Sequence, residues 1–346
     1  MMKKVLFVDY TYQKGHVNFN QIHVSALRAK GYNVKLVLHK SLAAQLPFCD
    51  SDYAMFLPEI LKQREGHPFI NRVAYIVALL LIKIKNKISS YDKVIISSCD
   101  EITLGLVPLC KGMYIICHYA NSFKHSLKRF FLKRLAVHNS FIVFNKTMAL
   151  SFNKNGIDNV FVISHGCMPS YDLNSLENTE LLIDTSQYAG VIFHPSANPD
   201  TDFIRCLTTD KMLKQFLSSS NILLVLRNQP NGITYTSNII FINEYLSQQQ
   251  YRKLFLLSDI ILLAYPPTFE YRVSGVSFEC VANGKKALIR YNRSFEYCKD
   301  FFNYDPMFHD VSELCSKIQY LMTHPNARCV VTPSSLVPDY DEILKK

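Results

Sequence analysis

Tryptophan is absent from this 346-residue chain, and no two of its ten cysteines form a Cys-x-x-Cys pair. The missing tryptophan carries no message about fold. The scattered cysteines exclude a zinc ribbon and a disulfide framework, and their mostly apolar surroundings fit reduced, buried thiols in a reducing cytosol. Long apolar runs are lacking too. The longest, Val73 to Ile82, is about half the ~20 residues that a membrane span needs. Met1 to Val8 is basic and then apolar but stops at Asp9 with no cleavage-site pattern, so no secretory signal is expected. There is no Gly-x-Gly-x-x-Gly: Gly15 stands alone in the first loop, and His39, not an acid, ends the second strand, which argues against a dinucleotide site. Zinc-finger, helix-turn-helix and RNP signatures are missing, so nucleic acid is not an expected partner. No internal repeat or low-complexity tract appears.

What is present is an uneven charge. The net charge is +10. Residues 1–170 hold 22 Lys and Arg against 9 Asp and Glu, whereas residues 171–346 hold 16 against 19, so the first half carries all the excess. Such a half attracts anionic lipid headgroups or a phosphate-bearing substrate. Val73 to Ile82, followed by Lys83, Lys85 and Lys87, reads as a buried helix with a basic end; contact with an anionic membrane surface is the alternative. Leu127 to Val137 is a basic amphipathic helix with a solvated face, or a docking face.

The length suggests two domains, and strand-helix alternation runs through both halves. Lys4–Asp9, a helix capped by Asn18, and Val34 to Leu38 make a βαβ opening. Further strand signals are Lys93–Ser98, Met113 to Cys117, Phe141 to Phe144 and Val160 to Ile163. Residues 41–72 show no clear period, and Asp50-Ser51-Asp52 there reads as a cap or turn. Residues 167–188 are a polar linker, which places a boundary near 170. Gly190 to His194, Ile222 to Leu226, Ile239 to Ile242, Ile260 to Ala264 and Ala287 to Ile289 are the strands of the second half, and Val311 to Met322 is a terminal helix.

The most informative stretch is Ser258 to Arg290. Ile260 to Ala264 is a strand buried on both faces, and Pro266-Pro267 ends it. Ser274 is an N-cap and Gly275 lets backbone approach a ligand. Asn283-Gly284 closes the helix. The helix start offers free amides suited to a phosphate, and Glu279 lies one to two turns in, where a carboxylate accepts hydrogen bonds from sugar hydroxyls.

This stretch resembles the donor-nucleotide segment of retaining GT-B glycosyltransferases of the large group 1 family, which build polysaccharides. Ser274-Gly275-Val276 and Glu279 match, and Gly284-Lys285-Lys286-Ala287 stands for the turn that follows. The resemblance implies an α/β chain of two Rossmann-like domains facing across a cleft, residues 1–170 on the acceptor side and 171–346 binding a nucleotide-sugar, with the last helix able to return to the first domain. It implies that Ser274, Gly275 and Val276 bind the donor diphosphate and Glu279 the ribose. The family's first Glu is replaced by Tyr271, with Glu270 one place earlier. Gly15 matches the first-loop glycine loosely. His118, at the end of a first-domain strand, corresponds to a histidine that contacts the transferred sugar and is the catalytic candidate; Ser164-His165-Gly166 matches the crossing between domains. The family's diphosphate Arg and Lys are not evident, and Arg227 is the substitute. Implied partners are a nucleotide-sugar donor and a saccharide or lipid-linked acceptor, with no cofactor and no metal, in the cytoplasm or at the inner face of the cell membrane. Three other readings compete: a sugar-nucleotide 2-epimerase, a non-catalytic partner of the same fold, and a membrane scaffold.

Overall fold

The computed structural model describes residues 3–12, 16–64, 66–167, 169–196, 200–229, 236–244 and 246–345. The chain divides into two compact units. The first comprises the residues up to Gly166, then Tyr271–Val273 and the stretch from Leu336 onward; the second comprises Cys167–Glu270 and Ser274–Ser335.

In the first unit seven strands form one sheet: β1 (Lys4–Asp9), β2 (Asn33–His39), β3 (Tyr53–Leu57), β4 (Lys93–Ser98), β5 (Tyr114–Ile116), β6 (Ser140–Val143) and β7 (Val160–Val162). Their order is β3-β2-β1-β4-β5-β6-β7, and every pairing is parallel. The central strands read as continuous apolar runs because helices cover both faces of a parallel sheet; Val5 to Val8 are fully buried. In the second unit β8 (Gly190–Phe193), β9 (Ile222–Arg227), β10 (Ile239–Ile242), β11 (Ile260–Leu263), β12 (Lys286–Arg290) and β13 (Met307–Phe308) form a second parallel sheet in the order β10-β9-β8-β11-β12-β13. Both sheets therefore start at an inner strand, run outward, return, and continue on the other side. The strand order reverses between β1 and β4 in one and between β8 and β11 in the other. At such a point the loops leave in opposite directions and open a crevice at the strand C-termini.

Three expectations need correction. The first helix is His16–Ala29, so Asn18 lies inside it rather than capping it. The unpatterned stretch 41–72 contains β3, whose residues are mostly half-exposed and so lack an apolar signature. The apolar run after residue 72 belongs to the helix Pro68–Lys85, and that helix is not buried: Asn71, Tyr75, Ala78, Leu79 and Ile82 face inward, while Phe69, Val73, Val77, Leu80 and Ile84 are exposed. Asp50–Asp52 is a short 3-10 turn, as read.

The first core is completed by the chain's last described residues. Tyr340 and Leu344 are fully buried in it, with Ile343 nearly so. Gly166 is obligatory here. Its φ is +78°, and a Cβ would run into Ile22 and Pro338.

Candidate functional site

The candidate residues fall into two groups, one in each unit. Gly15 lies outside the described residues.

In the first unit the group gathers where β1, β4 and β5 end. Asp9, the last residue of β1, is fully buried and lies 3.1 Å from His16 Nδ1. Asn20 Nδ2 donates to the same carboxylate at 2.9 Å. Ser97 Oγ donates to Asn20 Oδ1, and the Ser97 carbonyl accepts from His118 Nε2 at 2.9 Å. Thr11 and Ser98 join their hydroxyls beside this chain. The His16 and His118 rings stack with centroids 4.4 Å apart. Burial raises the Asp9 carboxyl, but the His16 charge and hydrogen bonds from His16, Asn20 and Thr11 outweigh it and hold it below the ordinary aspartate value. His118 is held well below the ordinary histidine value, first by burial and then by the neighbouring His16. Because a carbonyl only accepts, His118 Nε2 carries the proton, and Nδ1 keeps the lone pair. At neutral pH His118 is thus an acceptor for a hydroxyl, not an acid.

His23 and His165 extend the same ring cluster around Phe19 and Phe144. His23 Nδ1 accepts from Tyr340 Oη at 2.6 Å and Nε2 donates to the His165 carbonyl at 3.1 Å. Burial depresses both, His165 to about 4. Tyr271 belongs to this unit. Its φ is +54°, an uncommon conformation for a tyrosine. Its carbonyl accepts from Ala120 N at 2.9 Å, and Arg272 bridges Tyr119. An isolated strained residue of this kind concentrates at functional loops.

In the second unit Ser274 is at the N-cap position of the helix Gly275–Ala282, but its hydroxyl does not cap the helix. It meets Tyr265 Oη at 2.7 Å instead, a correction to its expected role. Tyr297 Oη accepts from Ser274 N at 3.3 Å and lies 2.9 Å from Ser277 Oγ. Ser277 N closes on Ser274 O at 3.1 Å. The amides of Gly275 and Val276, at the first two positions of the helix, have no intrahelical acceptor. Gly275 is exposed, its φ is not in the left-handed region, and a Cβ there would meet nothing within 4 Å. Among the described residues no neighbour demands a glycine at this place.

Glu279 is half-buried on the same helix and accepts from Tyr251 Oη at 2.7 Å. Burial raises its carboxyl despite the hydrogen bonds of Tyr251 and Tyr171 and the charge of Arg252. A carboxylate has room for about four hydrogen bonds, so Glu279 retains acceptor capacity. Arg227, at the end of β9, donates through Nη1 to the Pro195 carbonyl at 3.4 Å, and its Nε is buried without a partner among the described residues. Beside it His194 donates through Nε2 to the Ala264 carbonyl at 3.4 Å, which links the ends of β8 and β11 across the reversal of strand order; its Nδ1 is likewise unpartnered. Burial pushes His194 down to about 4, and Arg227 adds to the shift. Glu270 is half-buried in this unit, on the loop after β11. Lys285 of the expected turn is structural: its Nζ reaches the Leu256 and Ser258 carbonyls at the end of the helix Gln248–Leu257.

Arg227, Glu270, Ser274, Gly275, Val276 and Glu279 thus belong to the second unit, and His118 and Tyr271 to the first. Sequence reasoning missed Asp9, His16 and Asn20 beside His118, and Tyr171, Tyr251, Tyr265 and His194 in the second group. Asp9 had a visible signal, an acid closing a buried strand. The tyrosines had none: Tyr251 sits in the helix Gln248–Leu257, and Tyr171 and Tyr265 lie in loops. Among the described residues no three His, Cys, Asp or Glu gather as a metal-binding set.

No protein-family model matches the chain, and no curated protein matches it in sequence. Solved structures do. The chain is similar to HepE of Anabaena in complex with UDP and glucose, at 10% identity and a TM-score of 0.59, over 99% of this chain and 95% of that one. It is similar to a UDP-forming trehalose-phosphate synthase of Burkholderia xenovorans at 9% identity and 0.59, over 94% and 92%. A Listeria monocytogenes protein provisionally assigned as a UDP-N-acetylglucosamine 2-epimerase aligns at 12% and 0.57, over 94% and 89%. At these identities the likeness shows the fold: the two-unit α/β architecture of GT-B glycosyltransferases and their relatives.

Proposed function

We propose that this chain transfers a sugar from a nucleotide-sugar donor to a saccharide or lipid-linked saccharide, with retention, as a hexosyltransferase of polysaccharide assembly. The observation that carries the reading is the start of the Gly275–Ala282 helix. It follows a switch-point strand, offers two amides with no intrahelical acceptor, and keeps a glycine where none of the described residues requires one. A diphosphate placed there meets the helix dipole and both amides. Charge building on the leaving diphosphate, as the bond from the anomeric carbon to phosphate oxygen breaks, is stabilised by groups that need no reorganisation. Arg227, whose Nε has no partner among the described residues, is suited to a phosphate oxygen. Glu279, fixed by two phenols, is suited to a pair of ribose hydroxyls. Neutral His118 is suited to accept a hydrogen bond from a donor-sugar hydroxyl. Retention rests on the resemblance of the Ser274 to Glu279 segment. The reaction written this way calls for no metal and no cofactor.

A second reading has its own observation. The buried Asp9–His16 pair beside His118 puts proton-transfer groups at the end of β1, which is what 2-epimerisation of a sugar-nucleotide requires.

The test is a thermal-shift screen of the whole protein against UDP, GDP, ADP, CDP and their sugars. A ligand that binds only the folded state raises its stability by mass action. One nucleotide standing out, with the shift lost in Glu279→Gln, supports the donor reading. Glutamine keeps an acceptor oxygen for Tyr251, and its amide NH2 donates to the second phenol oxygen, so the variant folds. No shift from any nucleotide sinks it in favour of a non-catalytic partner. Incubation of the stabilising sugar-nucleotide without acceptor then separates the two reactions: an epimer in the nuclear magnetic resonance spectrum favours epimerisation, and transfer only on adding acceptor favours the transferase.

A further inference from the structure

The helix Pro68–Lys85 has two apolar faces, and a helix in contact with water needs only one. Its inner face packs on the first sheet. Its outer face carries Phe69, Val73, Val77, Leu80 and Ile84, spaced four, four, three and four residues apart, which is one continuous stripe. Phe69 is 77% exposed and Ile84 79%. The stripe is not isolated. The helix Glu101–Leu106 lies against Pro68–Lys85 on one side and against Ser126–Ala136 on the other. Gly105 permits the second contact, because a Cβ there would strike the Phe131 ring. The outer face of Ser126–Ala136 adds Leu127 and Phe130, and Val137 follows at its C-cap, 71% exposed. An apolar surface spread over neighbouring helices is more than the single exposed side chains common on protein surfaces.

The charge around it has one sign. Neither Pro68–Lys85 nor Ser126–Ala136 contains an aspartate or glutamate. The acids of the helix between them are both paired: Glu101 is buried and meets Lys128 at 3.2 Å, and Asp100, at its N-cap, meets Arg72 at 3.4 Å. Lys83 and Lys85 close the first helix, and Lys133 and Arg134 close the other. Between these ends lies a cavity of about 450 Å³, with Leu109 and Leu135 in its lining and Lys83, Lys111, Arg134 and His138 around it. None of those three Lys and Arg side chains has a carboxylate partner among the described residues; Lys83 Nζ reaches only the Pro108 carbonyl, at 3.3 Å. Among the described residues no helix is long and apolar enough to cross a membrane.

We infer that this three-helix face docks on an anionic lipid bilayer, with the basic cavity seating the phosphate of a lipid headgroup. Apolar side chains that enter the acyl boundary, beside unpaired lysine and arginine that meet the headgroups, are the two ingredients of interfacial binding. The charge favours a bilayer over a protein groove: an apolar protein partner has no use for a rim whose charges without an opposite partner, among the described residues, are lysine and arginine. The inference stands apart from the donor site, and its test does not depend on sugar transfer.

The experiment is flotation of the whole protein with phosphatidylcholine vesicles, with and without phosphatidylglycerol, at low and high salt. The wild type floats with the anionic vesicles and not with the neutral ones, and high salt releases most of it. Ile84→Glu lowers the partition coefficient about tenfold or more. Lys111→Ala with Arg134→Ala lowers it about fivefold for each charge removed and erases the preference for phosphatidylglycerol. All three positions are exposed, so thermal melts of the variants match the wild type. Failure to float with anionic vesicles would overturn the inference, as would flotation indifferent to both variants. A dimer seen by sedimentation without vesicles and dispersed by Ile84→Glu would overturn it too, because the face would then belong to a second copy.

Discussion

Gly275 offers the sharpest perturbation of the donor reading. It is the first residue of its helix, its backbone conformation suits any residue, and no atom of the described residues lies within 4 Å of where its Cβ would be. If that space has no function, a side chain there can only help the fold. Alanine restricts the unfolded chain and favours the helix, worth about 0.5–1 kcal/mol. In a domain of this size that raises the melting temperature by about 1–4 °C. If a diphosphate lies against the Gly275 and Val276 amides, a Cβ two bonds from the first amide nitrogen intrudes on an oxygen held at ordinary hydrogen-bond distance. Valine then forfeits one charge-assisted hydrogen bond, about 1.5–3 kcal/mol, or a 10- to 150-fold loss of nucleotide affinity. The assay is titration calorimetry of the stabilising nucleoside diphosphate with wild type, Gly275→Ala and Gly275→Val, beside thermal melts of each without ligand. The expected pattern is equal or higher apo stability together with a stepwise loss of affinity from alanine to valine. Full affinity in the valine variant would refute the reasoning. A fall in apo stability would refute the claim that the fold leaves this space free.

Tyr340→Phe removes the donor to His23 Nδ1 and leaves a buried acceptor unpaired, so urea unfolding should show a loss of about 1–3 kcal/mol; Tyr340→Ala should cost about 3–5 kcal/mol. Stability should also fall with pH. His165 and His194 are held near pH 4 by burial, so between about 6.5 and 4 the unfolded chain binds protons that the folded one refuses. Their stabilisation is complete above 6.5 and shrinks as pH drops, at about 1.4 kcal/mol per pH unit for each. Asp9 acts in the same direction only below 3.8. Urea midpoints at pH 7.5, 6 and 5 test this, and a flat profile contradicts it. His118→Asn should lower turnover more than donor affinity, with kcat and donor KM from initial rates; unchanged kcat returns His118 to a structural role.

The α/β fold was legible because buried parallel strands announce themselves: Val5 to Val8, Ile222 to Leu226 and Ile260 to Leu263 are short apolar runs between breakers. β3 gave no such signal, since an edge strand with half-exposed side chains needs no apolar run. The Pro68–Lys85 helix misled for the opposite reason. A segment apolar on all sides reads as buried, and only the packing shows which side has no neighbour. At the candidate site the backbone features were readable, namely a glycine at a helix start and an acid one turn on. The side-chain partnerships were not. Nothing local ties Ser274 to Tyr265, Glu279 to Tyr251, or Asp9 to His16 and Asn20, because each bond is settled by three-dimensional placement.

The first unit is stitched from three separated stretches of chain, and this affects how the protein is made. The ribosome finishes residue 166 long before Tyr340 exists. At about 5–20 residues per second the wait is about 10–35 s. Through that interval the nascent first unit lacks Tyr340, Ile343 and Leu344, three side chains that its core buries. It has to hold a partly open apolar seam while the second unit, continuous except for three residues, is synthesised. The half translated first is therefore completed last, and a chain cut or stalled before residue 340 is left with an unfinished core for chaperones and proteases to find.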